Sequence, residues 1–360
     1  MPLITYKIDP FADTIIILKN PCRNFAPWDE TLAPSNTEFS GPEDKQPECF
    51  QPSDDGWAAS EDEEIHYLVS SRHLMLASPW FKRTLTREEF TEALKDPSDG
   101  RYHIQANDWD EEALLILLNI FHIRTRQVPA TVSLEMLAKI AVLVDYYELE
   151  CAEVMERDAR DWITHMRHSV TIPSYYCRDL MLWICISRVF YMSKEFEEAT
   201  AVAIKGSEGC IQTLDLPIHQ EITSSIDQSR CNALEHVISE LRRLLGVYRD
   251  FNYACPNNSS YSFQCGAFLF GALMKYMEKW GYLSPRPEAP FIGISLNEVC
   301  RRSGIEGNTK WWHKSNYQDY LGEYREEEFE THSCSLDSKI DEVVRGAMAK
   351  VKGLKLSENS

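Results

Sequence analysis

Residues 65–85 read IHYLVSSRHLMLASPWFKRTL, and their pattern changes halfway. Ile65, Tyr67, Leu68 and Val69 form a short apolar run of the kind that fills a strand. After Ser70-Ser71 the spacing becomes helical, which predicts Leu74, Leu76, Ser78 and Phe81 on the inner side of a helix pair. Serines between a strand and a helix offer side-chain oxygens to the free amides of the first helical turn. A strand capped into a helix pair carries no chemistry of its own. It points to a docking module and away from an enzyme.

Upstream, residues 14–18 (TIIIL) are β-branched and read as a buried strand. Residues 24–64 differ in kind. Five prolines (Pro27, Pro34, Pro42, Pro47, Pro52) punctuate them, and Lys45 stands alone against many Asp and Glu. Such a segment buries too little apolar surface to offset its ordering entropy, so it is expected to be an acidic, disordered insertion between two strands of one sheet. Downstream, residues 86–95 read as a helix end, Pro97-Ser98-Asp99-Gly100 as a turn and residues 101–105 as a strand. Asp108 to Glu112 place acids at the positive end of an apolar helix over 113–123. Ser133 caps a helix with Leu134, Leu137, Ile140, Ala141 and Val144 on one face.

Residues 149–168 and 178–191 read as further helices, the second apolar on several sides. Residues 196–204 and 210–214 flank the turn-rich KGSEG and predict a short hairpin. A long helix follows over 218–248, then a loop over 250–261 and a helix over 263–280 stopped by Gly281. Residues 335–351 read as a final helix with Ser335 at its cap. The expected class is α+β: residues 5–150 form one domain, with 24–64 as its insertion. Residues 151–355 form an α-helical region with a sub-boundary near 250–262.

The chain has 360 residues and a formal net charge of −19. That charge disfavours a nucleic-acid backbone or an anionic membrane surface as partner, since both need clustered Lys and Arg. No run approaches the ~20 apolar residues of a spanning helix. Eleven scattered cysteines, with no CxxC pair, predict buried thiols in a reducing, intracellular setting, cytoplasmic or nuclear.

Enzyme motifs are wanting. No GxxxxGK[ST] cradles a phosphate, and no GxGxxG follows a strand. Gly293-Ile294-Ser295-Leu296-Asn297 ends in Asn where a nucleophile elbow has Gly, and reads as a helix cap. No catalytic residue and no cofactor is expected. The one arguable metal set is Cys255, Cys265, His313, His332 and Cys334. No pair in it has the spacing of a zinc knuckle, so the expectation is buried thiols and surface histidines, with Cys255, Cys265, His332 and Cys334 as the fallback ligands. Trp311-Trp312 and Tyr317, Tyr320 and Tyr324 are expected to pack a satellite core.

Asp13-Thr14-Ile15-Ile16-Ile17, the run from Ser71 to Phe81 and LLILLNIFHIRTRQVP with LAKIAVLVDYYE together resemble a BTB/POZ domain of the filamentous-fungal type. LPIHQEITSSIDQSR, CGAFLFGALMKYM, PRPEAPFIGISL and HSCSLDSKIDEVV are similar to the helical tail of the same proteins, so the resemblance spans most of the chain. It implies a short mixed sheet flanked by helices, with Asp13, Leu74, Ser78 and Phe81 defining the fold. It also implies a non-catalytic protein–protein interaction module: a homodimer, or an adaptor that binds a cullin within a ubiquitin ligase. Phe90-Thr91-Glu92 fits the hydrophobic-x-Glu triplet of cullin-binding members, which makes Phe90 and Glu92 the expected partner contacts. Ser70 departs from the animal pattern, where many members carry His. The alternatives are a transcription-linked scaffold with no ligase role and a zinc- or ligand-binding protein built on the C-terminal region.

Overall fold

Strand β2 (Thr14–Lys19) is paired on both edges and buried along its first five residues. It runs antiparallel to β3 (Glu64–Val69) and parallel to β4 (Tyr102–Asn107), with Ile16 opposite Tyr67 on one side and Ile104 on the other. Strand β1 (Ile4–Lys7) adds to β3 in parallel, giving the order β1-β3-β2-β4. The sheet is therefore mixed. The structure, a computed structural model, describes residues 3–28, 64–87, 89–148, 152–167, 170–304, 312–314 and 329–356.

In β3 alternation is clean: Ile65, Tyr67 and Val69 are buried and their neighbours are partly exposed, the period of a strand with one face on the core. The chain then enters α1 (Ser71–Ala77) and α2 (Pro79–Thr86). Ser78 ends one helix and caps the next. Its hydroxyl accepts from the Phe81 amide at 3.3 Å and donates to the Tyr147 carbonyl at 2.6 Å. Pro79 at the first helical position has no amide to satisfy there. The inner face of α1 is Ser71, Leu74 and Ala77, at i, i+3 and i+6. Leu74 and Phe81 are fully buried, but Leu76 is 84% exposed, against the expectation that it faces inward. Ser70 does not cap through its side chain either. The carboxylate of Asp13 takes that role from the neighbouring strand.

Helix α2 ends at Thr86, and beyond it the described residues up to 95 hold a 3₁₀ turn, Thr91–Ala93. Helices α3 (Glu111–Phe121) and α4 (Leu134–Tyr146) start at Asp110 and Ser133, whose side chains accept the amides of Ala113 and Met136. Helix α5 spans Ala152–Arg167. Helix α6 (Arg178–Val189) lies between α4 and α7 and is buried on nearly every side, from Leu180 through Val189.

Helix α7 (Ser193–Gly206) occupies the stretch expected to form a hairpin. Phe196, Ala199, Thr200, Ala203 and Ile204 recur at helical spacing, and packing that stripe against α6 and α8 wins over the turn residues that follow. The long α8 (Gln220–Arg249) packs on α9 (Ser262–Lys279) and α11 (Leu336–Lys350), with the short α10 (Leu296–Arg301) beside them. Strands β5 (Trp312–Lys314) and β6 (Phe329–Thr331) form a small antiparallel pair.

The sheet-bearing and helical parts are pinned together by two arginines. Arg188 on α6 is ion-paired with Asp145 on α4. Arg178 donates to the Ala26 and Phe25 carbonyls at 2.9 Å and to Glu135 at 2.8 Å. Ala26 is buried, and Trp28 meets Tyr176 edge-on at 5.5 Å between ring centroids. Residues 25–28 and Glu64, expected within the acidic insertion, are instead placed against the rest of the protein: the apolar side chains of 25–28 have a surface to bury against, and Glu64 is in β3. Residues 29–63, the rest of that acidic segment, lie outside the described residues, as do Trp311, Tyr317, Tyr320 and Tyr324.

Candidate functional site

Four residues expected only as fallback ligands converge at one end of the helical region. Cys255 lies in the loop between α8 and α9, Cys265 in the first turn of α9, His332 just after β6 and Cys334 just before Ser335, the cap of α11. The three Sγ atoms and one imidazole nitrogen all lie within 4.8 Å of one another. Cys255 Sγ stands 3.2 Å from His332 Nε2 and 3.6 Å from Cys334 Sγ. His332 is 3% exposed and Cys255 5%, and Cys265 is fully buried. The β5 strand contains His313, whose side chain lies outside the described residues.

Donors surround the sulfurs. The Asn258 amide points at Cys255 Sγ at 3.4 Å, Asn257 Nδ2 at Cys334 Sγ at 3.1 Å, and the Tyr253 hydroxyl lies 3.7 Å from Cys265 Sγ. Gly266 makes room for Tyr253, since a Cβ there would stand 2.9 Å from the tyrosine ring. Burial pushes the Cys265 thiol up to about 12 and raises Cys334 as well. Burial acts on Cys255 too, but the Asn258 and Asn257 amides and the neighbouring thiols outweigh it and hold Cys255 below the usual thiol range. The Cys255–His332 contact has the spacing of a nucleophile and its base. Two further sulfurs enclose it, and a buried sulfur offers a substrate carbonyl no approach.

A second cluster joins Asp9, His73 and His122, which sequence spacing did not suggest. His122 is fully engaged: its Nε2 accepts from the Ser70 amide at 2.9 Å and its Nδ1 faces the Leu118 carbonyl at 2.8 Å. That pattern fixes a neutral imidazole with no lone pair left for a metal. Phe11, whose amide binds Asp9 Oδ1, is 92% exposed, and Ile123, next to His122, is 76% exposed. Leu76, one helical turn beyond His73, is 84% exposed as well.

Phe90 and Glu92 are at the surface by the 3₁₀ turn, Phe90 exposed and Glu92 half-exposed, with Leu94 exposed beside them. Asp13, Leu74, Ser78 and Phe81 are all structural: two buried apolar side chains, one helix junction and one cap. The nine described cysteines form no disulfide among the described residues. No described helix is long and apolar enough to cross a membrane. Compared with protein-family models, curated proteins and solved structures, the chain gave no match.

Proposed function

We propose that this protein is a non-catalytic interaction scaffold whose sheet-bearing part is a BTB/POZ-like module that self-associates. The observation that carries the reading is the exposure of Phe11, Leu76 and Ile123, three large apolar side chains each within three residues of a member of the Asp9, His73 and His122 cluster. Scattered exposed apolar residues are ordinary, whereas several of them attached to one side-chain cluster mark a contact surface. The order of elements supports the same reading. An antiparallel β2–β3 pair, a helix pair, a third strand parallel to β2 and two further helices follow the plan that the sequence resemblance implies.

Tagged and untagged copies expressed together test it. Untagged chain co-purifies with the tagged copy, and Leu76→Asp with Ile123→Asp removes it while the far-UV spectrum stays unchanged. Loss of neither partner nor yield in that double variant contradicts the assignment. Adaptor binding is a second use of the same module, proposed for Phe90, Glu92 and the neighbouring Leu94. A cullin captured by wild type and lost with Phe90→Ala plus Glu92→Ala supports it. A self-associating protein that captures no cullin at micromolar concentration leaves the scaffold without a ligase role.

A further inference from the structure

We propose that Cys255, Cys265, His332 and Cys334 form a structural zinc site that locks the end of the helical region. A zinc tetrahedron with metal–sulfur bonds of about 2.3 Å and metal–nitrogen bonds of about 2.0 Å has sulfur–sulfur edges near 3.8 Å and sulfur–nitrogen edges near 3.5 Å. The Cys255–Cys334 and Cys255–His332 separations of 3.6 and 3.2 Å lie close to those edges, and no pair of ligand atoms exceeds 4.8 Å. Three sulfurs and one imidazole at tetrahedral spacing select zinc over magnesium, calcium or manganese, which want oxygen. Four protein ligands leave no open position, so the site holds structure and activates no water.

The surroundings are built for thiolates. The Asn258 amide and Asn257 Nδ2 donate toward two of the sulfurs, and Tyr253 stands against the third. Burying three neutral thiols would not need such donors, while coordinated thiolates carry charge that they offset. A cation at the centre also changes the balance among the sulfurs, since a coordinating thiol is deprotonated outright.

The ligands tie distant parts of the chain. Cys255 meets His332 and Cys334 across 77 and 79 positions of sequence. The metal therefore staples the α8–α9 corner to the β6–α11 junction, and its binding energy becomes folding energy for that end of the protein. Beside it, α11 packs through an apolar stripe of Leu336, Ile340, Val344 and Ala347.

The test uses the full chain, purified under reducing conditions and supplied with zinc alone. One zinc per chain is retained through gel filtration, and cobalt in its place gives the thiolate charge-transfer bands of a tetrahedral site. A chelator exposes three additional reactive thiols of the eleven and lowers the melting temperature. Asn257→Ala removes only an outer donor, keeps the fold and weakens zinc affinity by about 10-fold. Cys265→Ser or His332→Ala abolishes retention, while Cys231→Ser does not. Zinc that fails to stay bound after reconstitution, zinc retained equally by the Cys255→Ser, Cys265→Ser double variant, or a Cys255–Cys334 disulfide in the folded metal-free protein each overturns the site.

Discussion

Asp13 holds Ser71 by two hydrogen bonds, accepting from its amide at 2.7 Å and from its hydroxyl at 2.6 Å. A carboxylate just before β2 thereby caps the helix that follows β3, and the sheet and the helix pair are joined at one point. Asp13→Ala leaves the first turn of α1 without this acceptor. The expected loss is about 1–2 kcal/mol in urea unfolding, the usual range for a helix cap. Burial raises the Asp13 carboxyl, but the bonds from Ser71 outweigh it and bring it below the ordinary value of 3.8. The ionised form is therefore the one the fold favours. Its contribution is complete above that value and disappears as pH falls through the lower, folded value, so wild type and Asp13→Ala converge in stability at strongly acid pH.

Leu74 and Leu76 are two positions apart on α1 and have opposite roles. Leu74→Ala empties a fully buried position and costs about 2–5 kcal/mol. Leu76→Ala, at a residue 84% exposed, changes monomer stability by less than about 0.5 kcal/mol. Equal losses for both would contradict the phase of α1.

His122 makes the module sensitive to mild acid. Burial disfavours its charged form most strongly. The Leu118 bond opposes that effect, His73 and Arg124 add to it, and Asp9 opposes it, with the net value below 6.5. The unfolded imidazole takes up a proton first, so stability is full above about pH 6.5 and declines as pH falls below it. Thermal unfolding at pH 7.5 and pH 5.5 measures the slope. His122→Phe flattens it, and because the Ser70 amide then lacks its acceptor the variant is less stable by about 1–3 kcal/mol at neutral pH.

Asp145 and Arg188 bind α4 to α6. The arginine side chain is only 7% exposed, so Asp145→Ala strands a buried guanidinium. The expected cost is about 3 kcal/mol, the lower end for breaking a buried pair because Asp145 itself keeps about a third of its surface. Asp145→Asn, which still accepts a hydrogen bond, recovers part of it.

The sequence made the long elements legible where a polar cap met a periodic apolar stripe, as at Asp110 with α3, Ser133 with α4 and Ser335 with α11. It failed where one local signal outweighed a tertiary one. Strand β1, only four residues long and on a sheet edge, carries too short a pattern to stand out. Helix α7 was masked by the glycines that follow it. Leu76 was misplaced because two positions on a helix turn it about 200° away from Leu74, so both cannot face inward. Cys255, Cys265, His332 and Cys334 were legible as one Cys/His set but not as a convergent site, since ligands on opposite sides of a long intervening segment leave no local spacing to read. Asp9, His73 and His122 come together only through the packing of α1 against α3 and the β1–β2 turn, and no linear motif records that.

Self-association is tested most directly by the light-scattering mass of the full chain over a micromolar concentration series. The proposal predicts a mass approaching twice 41.6 kDa for wild type and a return to 41.6 kDa for Leu76→Asp with Ile123→Asp. A wild-type mass that stays at 41.6 kDa throughout the series would contradict it.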